Sequence, residues 1–183
     1  MNKRNIPALI VILGVHVLVS DALAEVTDSA SHGFTVRHIV PIQAERAVVY
    51  GAAVGDIGAW WSDDHTVSGD AGNLSITTVV PGCFCESLGA EAGLVHLVVS
   101  FVNPGVVIRF TGGLGPLGLM GVSGNMTWEF DEADSGTVVT LRYAVGGYMD
   151  GGLDTVAPAV DGVLGEAMRR LKSYVETGSA AEG

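Results

Sequence analysis

The sequence predicts an α+β protein. A curved antiparallel sheet of about seven strands holds a long C-terminal helix across its concave face, with two short helices after the first strand. Three observations carry this. Residues 126–131 and 138–145 alternate apolar and polar side chains on either side of Asp134-Ser135-Gly136, the pattern of a hairpin with one wet face. Residues 156–174 place Val156, Val160, Val163, Leu164, Ala167, Leu171 and Tyr174 on one helical stripe. The adjacent Trp60 and Trp61 end a helical stretch and are followed at once by the polar Ser62-Asp63-Asp64-His65, so one of the two indoles is expected to close over an interior.

The first residues stand apart from this pattern. Lys3 and Arg4 precede a short apolar run over residues 8–19, and Ala22-Leu23-Ala24 has the form of a cleavage site. This is the pattern of a secretory leader over residues 1–24, with a mature chain starting at Glu25. The apolar run is shorter than the roughly 20 residues a membrane span needs, so no stable membrane insertion is expected once the leader is cleaved. The expected location is therefore outside the cytoplasm, periplasmic or secreted. Residues 25–32 are expected to be disordered, residues 33–177 to form one domain, and residues 178–183 to be a disordered tail.

Strand by strand, residues 33–41 alternate with Val36, Ile39 and Val40 and read as the first strand. Helical spacing follows over residues 43–50 and 52–61, broken by Gly55 and Gly58 into two short helices. Residues 74–80 are expected to be a strand stopped by Pro81-Gly82, and residues 83–87 a short one. Residues 94–102 form a β-branched run closed by the turn Asn103-Pro104-Gly105, and residues 106–111 return. Residues 112–121 form a glycine-rich yet apolar loop. Asp154 or Thr155 is expected to cap the last helix, with Pro158 in its first turn and Gly178 after its end. Arg169, Arg170 and Lys172 near its C-terminus suit the helix dipole.

The balance of 9 basic against 20 acidic residues gives a net charge of −11, and loss of the leader makes it one unit more negative. Such a chain is poorly suited to nucleic acid or to anionic membranes. Only Cys83 and Cys85 occur. In a regular strand, positions i and i+2 lie near the upper limit of disulfide geometry, so reduced or semi-reactive thiols are expected; pairing would need a bulge or a turn.

The segments AWWSDDHTVSGD, PGCFCE, VNPGVVIRFTGGLGPLG and GGYMDGGLDTVAPAVDGVLGEAMRRLKSYVE, in this order and spacing, resemble the SRPBCC or START-like superfamily. Its members include lipid-transfer domains, birch-pollen-allergen relatives, polyketide cyclases and activators of a heat-shock ATPase. The resemblance spans residues 33–176. It implies the helix-grip fold and an apolar cavity between sheet and C-terminal helix.

On that reading the ligand-binding residues are Trp60, Trp61, Phe84, Phe101, Phe110, Leu117, Met120, Trp128, Phe130, Tyr143, Leu164 and Met168, and the partner is a hydrophobic small molecule. The competing reading is that these side chains simply fill the core, as apolar alternation does in any half-buried strand. Tyr143 is the best polar handle, because a buried phenol needs a partner. The loop over residues 112–121 is a candidate gate. His96 shares a strand face with Val98 and Ser100, which suggests the wetter side. Asp63, Asp64, His65, Cys83, Cys85 and His96 match no established zinc spacing, and neither a metal nor a cofactor is expected. Glu86 is a candidate acid or base if it points inward beside Phe84, where burial would raise its pKa; the alternative is an exposed strand glutamate. The leading expectation is an exported, non-catalytic carrier of an apolar molecule. A cyclase- or hydrolase-like enzyme using Glu86, His65 or Tyr143, and a chaperone-like interaction module, stand as alternatives.

Overall fold

The computed structural model describes residues 23–180. Eight antiparallel strands form one sheet: β1 Leu23–Ala30, β2 Gly33–Ile42, β3 Leu74–Ile76, β4 Gly82–Ser87, β5 Gly93–Asn103, β6 Val107–Gly112, β7 Gly121–Ala133 and β8 Gly136–Tyr148. Their order across the sheet is β1-β2-β8-β7-β6-β5-β4-β3. Helices α1 (Arg46–Gly55) and α2 (Ile57–Trp60) follow β2, and α3 (Ala157–Thr177) packs mainly across β2. Among the described residues no helix is long and apolar enough to cross a membrane.

The β7–β8 hairpin is the backbone of the sheet, paired without a break from Gly121↔Tyr148 to Ala133↔Gly136. Its alternation is reproduced residue by residue. Met126, Trp128, Phe130, Val139, Leu141 and Tyr143 are all fully buried, while Glu129, Asp131 and Arg142 are exposed. Full burial of each such large apolar side chain contributes on the order of 1.5–3 kcal/mol. In β2 the inward set is Phe34, Val36, His38, Val40 and Ile42. Gly165 of α3 meets this face over His38: a Cβ at Gly165 would lie 2.9 Å from His38 Cε1, so the glycine is what allows the helix to approach.

Several expectations are corrected. Residues 25–30 are not disordered; they belong to β1, an additional edge strand that hydrogen-bonds to β2 and raises the count to eight. The expected cleavage point falls within β1, and residues 1–22 of the leader lie outside the described residues. Gly178–Ala180 are ordered. Gly178 adopts φ 80° and closes α3 through its N–H to Tyr174 O, and the Ser173 hydroxyl reaches Ser179 O. Residues 181–183 lie outside the described residues. The strand expected over residues 74–80 ends at Ile76. Neither Asp154 nor Thr155 caps α3: both sit in a 3-10 turn, Leu153–Thr155, and the cap position is Val156. Arg170 and Lys172 donate to backbone carbonyls of other segments, Trp60 and Trp61 for Arg170 and Pro41 for Lys172, rather than to their own helix end.

Two bulges in β5 overturn the expected faces there. Phe84 pairs with Leu97 but Cys85 pairs with Val95, so His96 is an extra residue. His96 and Leu97 both turn inward, and Val95 is left outside. A second shift between Val99 and Phe101 turns Phe101 outward. One inserted residue reverses the face of all that follow until the next. The irregularity at Phe84/Cys85 also accompanies a disulfide between Cys83 and Cys85, whose Cα atoms are 5.4 Å apart; the expectation of free thiols is overturned.

Candidate ligand site on the concave face

Trp60 is the last residue of α2 and Trp61 its extended cap. Both indoles are buried, not one. Trp60 Nε1 donates to Ala52 O at 3.0 Å and Trp61 Nε1 to His65 O at 3.1 Å. The Arg170 guanidinium reaches down from α3 and donates to the carbonyls of Trp60 (2.8 Å) and Trp61 (3.2 Å), the otherwise open end of α2. A large apolar pair can therefore end a helix next to a polar loop because each backbone and indole polar group is matched locally.

The rings join into a band across the interior. Phe110 contacts Trp128 (5.2 Å between centroids), Trp128 contacts Trp60 (6.1 Å), and Trp60 contacts Trp61 (5.6 Å). Trp61 contacts Phe84 (5.5 Å), and Phe84 contacts His96 (5.3 Å). These tilted and edge-to-face arrangements are the favoured ones for aromatic pairs. Phe130 pairs with Tyr50 of α1 at 5.2 Å, and Leu164 and Met168 complete the wall from α3. Of the residues expected to line a cavity, all but Phe101 and Met120 are buried in this core. Phe101 is on the opposite face beneath the Arg109 guanidinium, and Met120 is partly exposed.

Three polar atoms inside this core lack a partner: Trp128 Nε1, the Tyr50 hydroxyl and His96 Nδ1. Burial pushes the Tyr50 phenol above its ordinary pKa. A buried donor or acceptor left unmatched costs about 1–3 kcal/mol.

Glu86 is inward and 1% exposed. Burial opposes its charge, yet donation from Ser68, the Val67 amide and His96 outweighs burial and holds its pKa down to about 2. The expected rise in pKa is thus reversed. Oε2 lies 2.8 Å from His96 Nε2 and 3.1 Å from the Val67 amide, and Oε1 accepts from the Ser68 amide. A carboxylate only accepts, so Nε2 carries the hydrogen of this contact, and Nδ1 is left without a partner among the described residues. His65 and Glu166 form a similar, half-exposed pair at 3.1 Å that ties the Trp loop to α3. Asp63 accepts from the Ala71 amide at 2.7 Å. Among the described residues no three His, Cys, Asp or Glu side chains are grouped to hold a metal.

Tyr143 finds its partners in the candidate gate. Its hydroxyl donates to Gly112 O at 2.8 Å and accepts from the Leu114 amide at 3.0 Å, clasping the base of the loop; burial raises its pKa, partly offset by the Leu114 amide. Gly124 is required beside it, since a Cβ there would meet Tyr143 Cε2 at 2.6 Å. Beyond the clasp a 3-10 turn, Gly115–Leu119, buries Leu117 but leaves Leu119 92% exposed. Tyr143 and Glu86 do not converge: each is committed to backbone amides of a different loop.

Sequence reasoning missed His38 and Asp161, which approach to 3.0 Å (Nε2 to Oδ1) across the β2–α3 interface. The period-two pattern of β2 places His38 among the inward residues and is the signal that could have found it. Glu166, Arg170 and Tyr50 were missed too, because their partners are far away in sequence.

A curved antiparallel sheet with a long helix on its concave face and an aromatic interior defines a helix-grip protein. Residues 31–176 match the family described as polyketide cyclase / dehydrase and lipid transport, and the chain belongs to it. Comparison with curated proteins finds no match. Solved structures share the fold. A conserved protein of unknown function, EF2215 from Enterococcus faecalis, is 13% identical with a TM-score of 0.59, covering 88% of this chain and 80% of that one. CalU16 from Micromonospora echinospora is 11% identical with a TM-score of 0.59, covering 88% of each chain. An Aha1 dimer from Colwellia psychrerythraea is 14% identical with a TM-score of 0.54, covering 79% of this chain and 97% of that one.

Proposed function

We propose that this chain binds a small, largely apolar molecule between the concave face and α3, and that the molecule carries a hydrogen-bond acceptor. The observation that carries the reading is the unpartnered Trp128 Nε1, which is fully buried on a central strand between Phe110 and Trp60. An apolar interior with a few unmatched polar atoms is the chemistry of a small-molecule site. The family, which joins polyketide chemistry to lipid transport, supports an apolar ligand. On this reading the ligand enters where the loop carrying Leu117 and Leu119 swings away from the sheet, releasing the Tyr143 clasp and the buried Leu117.

The test is mass spectrometry of an organic extract of the purified chain, followed by titration of the extracted class against tryptophan fluorescence. A co-purifying apolar molecule that rebinds saturably supports the reading. A clean extract with no response to fatty acid, sterol or aromatic polyketide probes overturns it.

A second reading rests on His96 Nδ1. An imidazole held through Nε2 by a buried carboxylate, with Nδ1 unpartnered, has the geometry of a group that exchanges a proton with a bound substrate. Cyclisation of a bound polyketide would use it to remove a proton from carbon or oxygen. Turnover of a bound substrate that disappears in His96→Gln while binding persists would establish this reading.

Export is part of the proposal. The leader-like residues 1–24 support it, and so does the Cys83–Cys85 disulfide, since such bonds persist in oxidising compartments. N-terminal sequencing of the protein from fractionated cells should find Glu25 first; an intact Met1 in the cytoplasm would overturn it.

A further inference from the structure

The outer face of the sheet carries a feature that the concave face does not explain. Arg37 of β2 and Arg142 of β8 stand directly opposite each other, and Arg142 is in turn opposite Thr127 of β7. Both arginines are exposed, whereas their strand neighbours Val36, His38, Leu141 and Tyr143 are buried. Like charges directly opposite on neighbouring strands repel. In a chain with 20 acidic residues such a pair would be expected to find carboxylates, as four other described cations have found partners: Arg46 pairs with Glu132, Lys172 with Glu176, Arg109 covers Phe101, and Arg170 holds the Trp carbonyls. Among the described residues no carboxylate lies within 4.0 Å of Arg37 or Arg142. This holds although Glu25 of β1 is directly across from Arg37 and Glu129 is one row away.

The two guanidiniums share an open groove of about 500 Å³ with Thr27, Thr127, Glu129 and Thr140. Thr27 sits at a register shift in β1, and its hydroxyl is turned to Thr35 O. The hydroxyls of Thr127 and Thr140 are engaged by no other described residue. Two planar forks of donors, two free hydroxyls and one carboxylate acceptor at the edge make a consistent set. The forks match an oxyanion bidentately, the hydroxyls add donors, and Glu129 accepts from a hydroxyl on the same molecule.

We propose that this groove is a second binding site, independent of the concave face, for a small hydroxylated oxyanion whose phosphate or carboxylate bridges Arg37 and Arg142. The bound anion relieves the repulsion of the facing arginines, so binding and stability are coupled.

The probes are inorganic phosphate and citrate, titrated into the purified chain by calorimetry, with thermal melts in a chloride buffer of matched ionic strength. Saturable binding of one or both is expected, with a raised Tm. Phosphate alone would identify a phosphate ligand, citrate alone a hydroxy acid. Arg142→Gln and Arg37→Gln should each weaken binding at least about tenfold. Each should also leave Tm in chloride unchanged or higher, because the repulsion is gone, and neither Tm should respond to the anion. Absence of saturable binding by both probes, an equal Tm gain from chloride, or unchanged binding in both variants would overturn the proposal.

Discussion

Glu86 Oε2 and His96 Nε2 lie 2.8 Å apart on neighbouring strands, and both side chains are buried. The same carboxylate receives the amides of Val67 and Ser68. One residue thus anchors the loop that follows the tryptophan pair to the sheet. Glu86→Gln should destabilise the fold by roughly 2–4 kcal/mol, because it leaves buried donors mismatched. Its folded pKa of about 2 lies below its ordinary value of 4.5. The stabilisation is therefore complete above about pH 4.5 and is lost as pH falls towards 2. Denaturant melts between pH 2 and 7 should show a steeper acid loss in the parent than in the variant. Parallel curves would refute the assignment.

Trp128→Phe tests the ligand role of Nε1. It removes an unmatched donor but also part of a fully buried indole, so the cavity should cost about 1–3 kcal/mol. Affinity for the extracted ligand should fall roughly tenfold. Unaltered affinity would mean that Nε1 makes no hydrogen bond to the ligand.

Tyr143→Phe should release the clasp on Gly112 and Leu114 at a cost of about 1–2 kcal/mol. Hydrogen exchange over residues 112–120 should accelerate more than in β7, and ligand association should become faster. Uniform acceleration throughout the sheet would argue that Tyr143 supports the core and not the gate.

His38 titrates below its ordinary 6.5: burial is the main cause and Arg169 adds to it, while Asp161 opposes. The unfolded chain therefore takes up this proton first on acidification, so stability is complete above about pH 6.5 and declines below it. His38→Asn should flatten stability across that range, and an NMR titration should place the His38 midpoint below 6.5. Gly165→Ala, which would push a methyl against His38 Cε1, should destabilise by about 1–3 kcal/mol.

The Cys83–Cys85 bond closes a tiny loop and should add little to stability. The intact mass should be two hydrogens below that of the reduced chain, and Cys83→Ser with Cys85→Ser should shift Tm by only a few degrees. A free-thiol count of two in protein purified without reductant would contradict the bond.

Local patterning made the α+β class, the β7–β8 hairpin, the broken early helix and α3 legible in advance, because period-two and period-3.6 alternation report which face is buried wherever the backbone stays regular. The inward placement of Phe84, Phe110, Trp128, Phe130, Tyr143, Leu164 and Met168 followed from the same rule. Tertiary structure decided what depends on irregular backbone or on partners distant in the chain. The bulges in β5 reversed His96 and Phe101, and the shift beside Cys85 accompanied the disulfide. β1 was ordered by pairing with the edge of β2 and packing on α3. Glu86 was charged and buried because two loop amides and an imidazole reached it. A bulge costs one residue and leaves no mark in composition, and a hydrogen-bond partner 18 or 110 residues away leaves none in spacing.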